Sequence, residues 1–319
     1  MTILDETTVA RAARTHGVLA RSELRTIGWS RSQIDERVRN GRWRALLHGV
    51  LLVDGGVQPS EWPDLPFDVR LQAAQTYHGP RATFVHETAA RLFGLEGMPP
   101  DDGTVQVSLP PGGERHQQRE VEVHPLKLRP DERTRLEGWS VTAPGRTVTD
   151  LVLRLPRLAA VSVLDSALRL DLVSPAELPD LRLRTFRRRG AFISAGWWDL
   201  ADGRADSPLE TRVRLLATDF GYPPDDLQHP VYGSRGELLG YGDLAWRMPS
   251  GRTLIAEADG RGPHELPSAL FRDRRRANGF SAVGTIEVVR FTWADTLQPE
   301  YIRAVLRSHL GPPRCAPTG

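Results

Sequence analysis

The 319-residue sequence predicts a multidomain protein of mixed α+β and α/β class, and three observations lead to this prediction. The length exceeds what one average hydrophobic core fills. Stretches with helical spacing of apolar residues alternate with stretches that have strand-like alternation. The composition, 39% hydrophobic and 26% charged residues, is that of a globular chain. We expect domains at 1–55, 60–190 and 205–311, followed by a disordered tail at 312–319.

Composition also restricts the classes of function. The sequence contains no apolar run long enough to span a membrane and no signal-peptide core, which leads us to expect a soluble, cytoplasmic protein. The single cysteine, Cys315, excludes a disulfide scaffold and thiolate metal sites. Lys127 is the only lysine among 42 basic residues, so positive charge is supplied by arginine, which binds phosphate and guanine in bidentate fashion.

The first 55 residues predict three short helices and a pair of strands. Gly17 ends the first helix, and Gly28 ends the second. Ser30 is a good N-cap for the third helix, in which Ile34 and Val38 face inward. The stretch "RWRALLHGVLLV" then predicts two strands that turn at residues 48–49. This order is typical of a winged helix-turn-helix, a DNA-binding domain.

The charge of this segment agrees with DNA binding. Residues 9–49 contain nine arginines and three acidic residues. Five of the arginines lie on the predicted third helix and wing, the elements that would meet the major groove and the phosphates, namely Arg31, Arg37, Arg39, Arg42 and Arg44. The alternative is a small helical domain with a solvated basic face or a protein-docking role.

A family resemblance rests on the stretch "GVLARSELRTIGWSRSQIDERVRNGRWRALLHGVLLV". It resembles the N-terminal winged-helix domain of AbiEi-type antitoxins, which belong to a type IV toxin–antitoxin system. The resemblance implies duplex DNA as a binding partner and a cognate toxin as a second one.

The middle region predicts two helices joined at residues 78–80, two strands within "TVQVSLPPGG" and "REVEVHPLKL", and two further helices. It resembles the middle portion of actinobacterial proteins that carry the AbiEi-like N-terminus. His86–Glu87 resembles a recurring "SHxxAA" stretch of that group, to which no chemistry is assigned; as residues, they suit a hydrogen-bonded structural pair. His116 and His124 are too far apart in the sequence to predict a metal site.

Five arginines close the middle region, at positions 182, 184, 187, 188 and 189. Such a run is typical of a solvated helix or linker, and the alternative is a nonspecific grip on phosphates.

The C-terminal region predicts a helix capped by Ser207, with Pro208 first and Glu210 three residues after the cap. Two strands joined by a turn at 249–251 follow, and Asp243 leads into the first. In the second strand Ile255, Glu257 and Asp259 share one face. A helix within "ELPSALFRDRRRANGF", a strand and a final helix complete the domain.

This order, with acids at the strand ends, is that of the PD-(D/E)xK or restriction-endonuclease-like core. A hairpin would bring Asp243 beside Glu257, and such a pair can hold Mg²⁺ or Mn²⁺, which activates a water for phosphodiester hydrolysis. The lysine of the family pattern is replaced here by Asp259.

The segments "LETRVRLL", "GDLAW", "IAEADGRGPH", "FRDRRRANGF" and "VVRFTW" together resemble the branch related to the very-short-patch repair endonuclease. The resemblance implies that Glu210, Asp243, Glu257 and Asp259 coordinate metal or orient water, with Asp243, Glu257 and Asp259 as the metal ligands. It makes His264 the general acid/base. The positive charge of the missing lysine would come from a neighbouring arginine, one of Arg272, Arg274 and Arg275.

Two functions of different classes follow from these features. The first is a DNA-binding, Mg²⁺-dependent endonuclease that acts in defence or repair. The alternative is a non-catalytic, antitoxin-type transcriptional regulator, which binds its own promoter and counters a toxin.

Overall fold

A computed structural model describes residues 3–53, 61–112, 118–259 and 283–313. The chain forms two compact units, one of Met1–Gly94 with Pro99–Thr147 and the other of Leu95–Met98 with Val148–Gly319. The boundary at 147/148 falls inside the predicted middle domain, 60–190, whose two parts therefore belong to different units. The predicted helix at 265–280 and the tail from residue 314 lie outside the described residues.

The first unit begins with three helices and three short strands. They are α1 (Ile3–Ala12), β1 (Val18–Ala20), α2 (Arg21–Ile27), α3 (Arg31–Arg39), β2 (Arg44–Leu47) and β3 (Val50–Leu52). The strands form an antiparallel sheet in the order β1-β3-β2. Strand β1 was not predicted, because three residues between two helices are too short to show alternation.

The ends of these elements agree with the predicted caps and turns. Ser30 Oγ accepts a hydrogen bond from the Gln33 N–H at 3.2 Å, and the Gln33 side chain accepts one from the Ser30 N–H at 2.9 Å. This reciprocal pair is a capping box, which fixes where α3 starts. The β2–β3 turn lies at residues 48–49, as predicted, with Gly49 at a φ of 72°.

A five-stranded sheet fills the rest of the first unit. Its elements are α4 (Phe67–His78), β4 (Thr83–Phe84), α5 (His86–Leu92), β5 (Val105–Ser108), β6 (Val121–Val123), β7 (Arg133–Leu136), β8 (Trp139–Thr142) and the start of α6 (Pro144–Val152). The strand order is β6-β5-β4-β8-β7. Sequence patterns missed β4 and the β7–β8 hairpin, whose two turn residues, Glu137 and Gly138, both have positive φ.

The second unit places helices against a four-stranded sheet. Its elements are α7 (Arg157–Arg169), α8 (Leu178–Leu183), α9 (Ala191–Ser194), α10 (Pro208–Asp219), β9 (Asp226–Tyr232), β10 (Leu238–Arg247), β11 (Thr253–Ala258), β12 (Ile286–Phe291), α11 (Trp293–Thr296) and α12 (Pro299–Leu310). The strand order is β12-β11-β10-β9. Within this sheet the β11–β12 pair is parallel, and the β9–β10 and β10–β11 pairs are antiparallel.

Two details differ from the sequence prediction. Strand β10 begins at Leu238, so Asp243 lies within the strand and does not lead into it. Strand β9 was missed because Pro230 breaks its pattern; an edge strand tolerates such a proline, because its outer N–H groups need no partner.

The two faces of this sheet are covered differently. Leu254 and Ala256 belong to a buried cluster that includes side chains of α10 and α12. Ile255 belongs to a separate, smaller cluster with Val231 and Ala245. The predicted alternation along β11 is therefore confirmed, and it places Glu257 on the face of Ile255. Among the described residues, no helix is both long and apolar enough to cross a membrane.

Candidate functional site

The predicted DNA-binding arginines of α3, of the α3–β2 connection and of β2 occupy different environments. Arg31 is 84% exposed, and Arg39 and Arg42 are also exposed, whereas Arg44 is half-buried. We call the exposed set, Arg31, Arg39 and Arg42, the α3–β2 surface. Ile34 is fully buried below it and anchors the helix.

Asp35 is an acidic residue beside this surface, with its carboxylate 3.9 Å from the Arg31 guanidinium. It receives a hydrogen bond from Arg21 Nη1 at 2.6 Å, and this bond holds the pKa of Asp35 below its ordinary value, with help from the charges of Arg31 and Arg39. The carboxylate therefore stays ionised and partly offsets the positive charge at the start of α3.

Arg37 does not lie with the exposed arginines. Its side chain is only 19% exposed, and its guanidinium lies 4.2 Å from the Trp29 ring centroid and 5.2 Å from that of Trp43. Arg37 Nη2 also donates a hydrogen bond to Asp5 Oδ1 at 2.7 Å. The structure thus places Arg37 as a residue that ties α1 to α3. Helical spacing could have shown this, since Arg37 is three positions after the buried Ile34.

Glu210, one of the predicted acidic residues, lies in the first turn of α10. Ser207 caps the helix, and its Oγ accepts from the Glu210 N–H at 3.2 Å. Glu210 is buried, and its Oε2 accepts from the Asp206 N–H and from Gln228 Nε2, each at 2.9 Å. The predicted capping box is therefore shifted by one residue, because the carboxylate binds the N–H that precedes the cap.

Glu210 and Asp243 influence each other electrostatically. Burial, together with the negative charge of Asp243, raises the pKa of Glu210 from 4.5 to about 7. Glu210 is therefore partly protonated near neutral pH, and the α10 start and strand β10 bring two carboxyl groups close together.

Asp243 and Glu257 lie on neighbouring strands. The β10–β11 register pairs Leu244 with Ala256, so the next position places Asp243 opposite Glu257 on the same face of the sheet. Asp243 Oδ2 accepts from the Ala258 N–H at 2.7 Å, and Glu257 is buried. Asp259 directly follows β11, where its N–H donates to the Phe291 carbonyl oxygen at 2.8 Å.

The described acidic residues were predicted to be metal ligands. Within the described ranges, no group of three or more His, Cys, Asp or Glu side chains is arranged to hold a metal ion. Two of the acids already accept N–H hydrogen bonds, and the raised pKa of Glu210 disfavours its ionised form. Binding of Mg²⁺ or Mn²⁺ by these acids therefore stays a prediction, and we derive no reaction step through a metal. His264, Arg272, Arg274 and Arg275 lie outside the described residues.

One buried ionic cluster was not recognised in the sequence. Asp165 of α7 accepts hydrogen bonds from Thr211 Oγ1, from Arg214 Nη2 and from the Asp202 N–H, each at 2.7 Å. Burial raises its pKa in spite of the Arg214 charge. The cluster joins α7 to α10 and so fixes the helix that carries Glu210.

The sheet of the first unit brings together two histidines that are distant in the sequence. The rings of His86 and His124 meet edge to face, with centroids 4.4 Å apart. His86 is buried at the start of α5, and its φ of 49° is in the left-handed region. Sequence reasoning missed this contact because it depends on the β4–β5 and β5–β6 pairings.

Comparison with known proteins identifies a family. Residues 81–195 match the AbiEi antitoxin C-terminal domain. The match lies in the middle of the chain and not in the N-terminal segment, where the resemblance was expected. It also does not reach the region 205–311, for which the restriction-endonuclease-like resemblance stays a prediction.

Similar proteins occur in Mycobacterium tuberculosis. The uncharacterized protein MT2308 of strain CDC 1551 and the uncharacterized protein Rv2248 of strain H37Rv are each 32% identical over 251 residues, which cover 77% of this chain and 84% of the relative. The crystal structure of the RV2827C protein from the same species aligns with a TM-score of 0.43 and 19% identity over 66% of this chain and 80% of that one. The chain belongs to the family of the two mycobacterial relatives, and its residues 81–195 are similar to the AbiEi antitoxin C-terminal domain.

Proposed function

We propose that this protein is a DNA-binding regulator of the antitoxin type, which binds its own promoter and counters a cognate toxin. The observation that carries the proposal is the match of residues 81–195 to the AbiEi antitoxin C-terminal domain. The first unit adds an element order that suits promoter binding.

The order α1-β1-α2-α3-β2-β3, with the three strands paired as β1-β3-β2, supports the proposal of a winged helix-turn-helix. In that arrangement α3 is the recognition helix and the β2–β3 hairpin is the wing. The α3–β2 surface then presents arginines to the major groove and to the phosphates beside it.

Promoter binding is tested with a fluorescent duplex that carries the sequence upstream of the protein's own gene. We expect tighter binding to this duplex than to a scrambled one of equal length, and repression of a reporter driven by the same promoter. Equal affinity for the two duplexes, without repression, would contradict the regulator.

The toxin part of the proposal has a separate test. The protein encoded beside this chain's gene is expressed alone and then together with this chain. We expect growth arrest in the first case and recovery in the second. A neighbouring protein that is harmless when expressed alone would contradict the antitoxin role but leave promoter binding standing.

A second candidate function, phosphodiester hydrolysis by the C-terminal sheet, is favoured by one observation. Asp243 and Glu257 lie opposite each other at one end of the β10–β11 pair, and burial together with the charge of Asp243 raises the pKa of Glu210 in α10. Coupled carboxyl groups of this kind occur at catalytic sites.

Plasmid DNA distinguishes this candidate from the regulator. The protein is incubated with supercoiled plasmid in the presence of Mg²⁺ or Mn²⁺ and, separately, of a chelator. Metal-dependent nicking that is lost in both Asp243→Ala and Glu257→Ala would establish hydrolysis. An intact plasmid with the wild-type protein would rule it out for that substrate.

A further inference from the structure

The arginine run that closes the middle region is not fully used inside the fold. Arg182 forms an ion pair with Asp199 at 3.0 Å, and Arg188 forms one with the buried Asp150. The other three arginines are exposed, and no ion pair joins them to any residue that the structure describes. They are Arg184, Arg187 and Arg189. Three positive charges are therefore available at this surface for an anionic ligand.

The same segment exposes aromatic rings among these arginines. Phe186 and Phe192 are 73% and 96% exposed, and Leu183 and Ile193 beside them are also exposed. We call these four apolar side chains, together with Arg184, Arg187 and Arg189, the 183–193 patch. Soluble proteins seldom expose several large apolar side chains in one short segment unless the surface binds something.

One arginine and one ring of the patch already lie together. The Arg187 guanidinium lies 5.4 Å from the Phe186 ring centroid. Arg187 also has a φ of 62°, in the left-handed region that residues other than glycine seldom adopt. Such backbone strain persists only where the surroundings hold it, and it is frequent at binding sites.

The backbone that carries the patch is fixed on its inner side. Leu181, Thr185 and Ser194 are buried, and Thr185 Oγ1 donates to the Arg182 carbonyl oxygen at 2.6 Å. Gly190 has a φ of 91°, and a Cβ atom there would lie 2.6 Å from the Leu153 carbonyl oxygen, so only glycine fits. Because the segment is ordered before it binds, little conformational entropy is lost on binding.

Arginines interleaved with exposed rings suit a nucleic acid whose bases are unpaired. The guanidinium groups bind phosphates, and each phenylalanine offers a surface on which a base can stack. A duplex hides the faces of its bases, so it would use the arginines and leave Phe186 and Phe192 in water.

Other occupants agree less well with the patch. A second copy of this chain would bring like charges together across a two-fold axis. Membrane binding through an amphipathic helix needs a longer helix than α8 or α9, which contain six and four residues. Unpaired bases in cells are found mainly in RNA loops and ends, since most DNA is paired.

We propose that the 183–193 patch is a binding site for RNA with unpaired bases. Phe186 and Phe192 stack on the bases, and Arg184, Arg187 and Arg189 bind the phosphates. This inference goes beyond the proposed function, which assigns duplex DNA to the α3–β2 surface, and it does not depend on it.

The test measures, by fluorescence anisotropy, the affinity of the full-length protein for a labelled, unstructured RNA of about 12 nucleotides. Phe186→Ala and Phe192→Ala should each weaken binding by about 5-fold or more. Phe192→Trp keeps a stacking ring and should bind like the wild type. Tyr301→Ala, the matched control, removes a 51% exposed ring from another part of the same unit and should change nothing. Melting temperatures equal to that of the wild type verify folding.

The salt dependence of the same binding tests the arginines. Arg187→Ala and Arg189→Ala should each reduce the slope of log affinity against log salt by about 0.7, the value for one phosphate contact of a single strand. The two phenylalanine variants should keep the wild-type slope, because a stacking contact releases no counterions. Arg39→Ala, on the α3–β2 surface, is the control for charge and should also keep it.

Several results would overturn the inference. They are a wild type that does not bind the RNA, wild-type affinity in both Phe186→Ala and Phe192→Ala, and tighter binding of single-stranded or duplex DNA of the same sequence. A patch that binds phosphatidylglycerol vesicles instead of the RNA would also overturn it. If Arg39→Ala reduces the slope as much as Arg187→Ala and Arg189→Ala do, the RNA contacts the α3–β2 surface, and the assignment to the patch is wrong.

Discussion

The guanidinium of Arg37 lies 4.2 Å from the ring centroid of Trp29, in the interior of the N-terminal helices. Trp29 in turn donates its indole N–H to Thr8 Oγ1 at 2.8 Å, and Arg37 binds Asp5 of the same first helix. Although Arg37 belongs to the basic stretch, it is therefore a packing residue that contributes to stability.

Arg37→Ala should destabilise the protein by about 1–3 kcal/mol, because it removes a cation–π contact and a charge-assisted hydrogen bond from a partly buried position. Arg39→Ala is the matched control on the same helix, and its exposed side chain predicts a change below about 0.5 kcal/mol. Urea unfolding followed by tryptophan fluorescence measures both. Equal stability of the two variants would contradict the assigned role of Arg37.

Asp165→Asn should be among the most destabilising single changes, at about 3–5 kcal/mol, because it leaves the buried Arg214 without its counter-ion. Asp199→Asn removes an exposed pair with Arg182 and should cost less than about 1 kcal/mol. Thermal unfolding of the two variants in parallel measures the contrast. A mild effect at Asp165 would show that the cluster does not hold α7 to α10.

Glu210 should make stability depend on pH in an unusual direction. Its pKa is raised to about 7 in the folded protein, so the folded state holds the proton more tightly than the unfolded state. Its contribution is therefore complete below about pH 4.5, decreases as the pH rises to about 7, and is level above that.

Denaturant unfolding between about pH 4.5 and 8 should show that Glu210→Gln removes this decrease, by up to about 3 kcal/mol. Glu300→Gln, at an exposed position, is the control. If the free energy of unfolding depends on pH in the same way for the wild type and Glu210→Gln, the result contradicts the burial of Glu210 and its coupling to Asp243.

Alanine substitutions at two glycines with similar φ values distinguish the cost of crowding a Cβ atom from the cost of backbone strain. Gly97 has a φ of 93°, and a Cβ atom there would lie 2.4 Å from Ser162 Cβ, whereas Gly138 has a φ of 89° and open space around it. Gly138→Ala should cost about 1 kcal/mol from the backbone alone, and Gly97→Ala clearly more, because backbone atoms must also move. The melting temperatures of the two variants test this, and a Gly138→Ala protein that melts at or below the temperature of Gly97→Ala would contradict the prediction.

The sequence predicted the elements whose signals are local. Ser30 and Ser207 start their helices through side-chain oxygens that bind nearby N–H groups, and the β2–β3 turn follows from Gly49. Strands β4 and β9 escaped prediction, because a two-residue strand shows no alternation and Pro230 interrupts the other pattern.

In the candidate site, too, sequence patterns predicted only the features that depend on neighbouring residues. Hydrophobic alternation placed Glu257 and Asp243 side by side, because a hairpin register depends on neighbouring residues. The burial of Glu210 and the Asp165 cluster depend on contacts between distant parts of the chain. No spacing rule within a single helix or strand reports such contacts.

The central claim is that the α3–β2 surface contacts DNA phosphates, and the salt dependence of binding tests it most directly. Affinity for a promoter duplex is measured by fluorescence anisotropy between about 50 and 200 mM salt for the wild type, Arg39→Ala, Arg42→Ala and the control Arg235→Ala. We predict a steep loss of affinity with salt, a slope reduced by about 0.9 in each of the two surface variants, and no change in the control. A wild-type affinity that does not respond to salt, or slopes that are identical in all four proteins, would contradict the account.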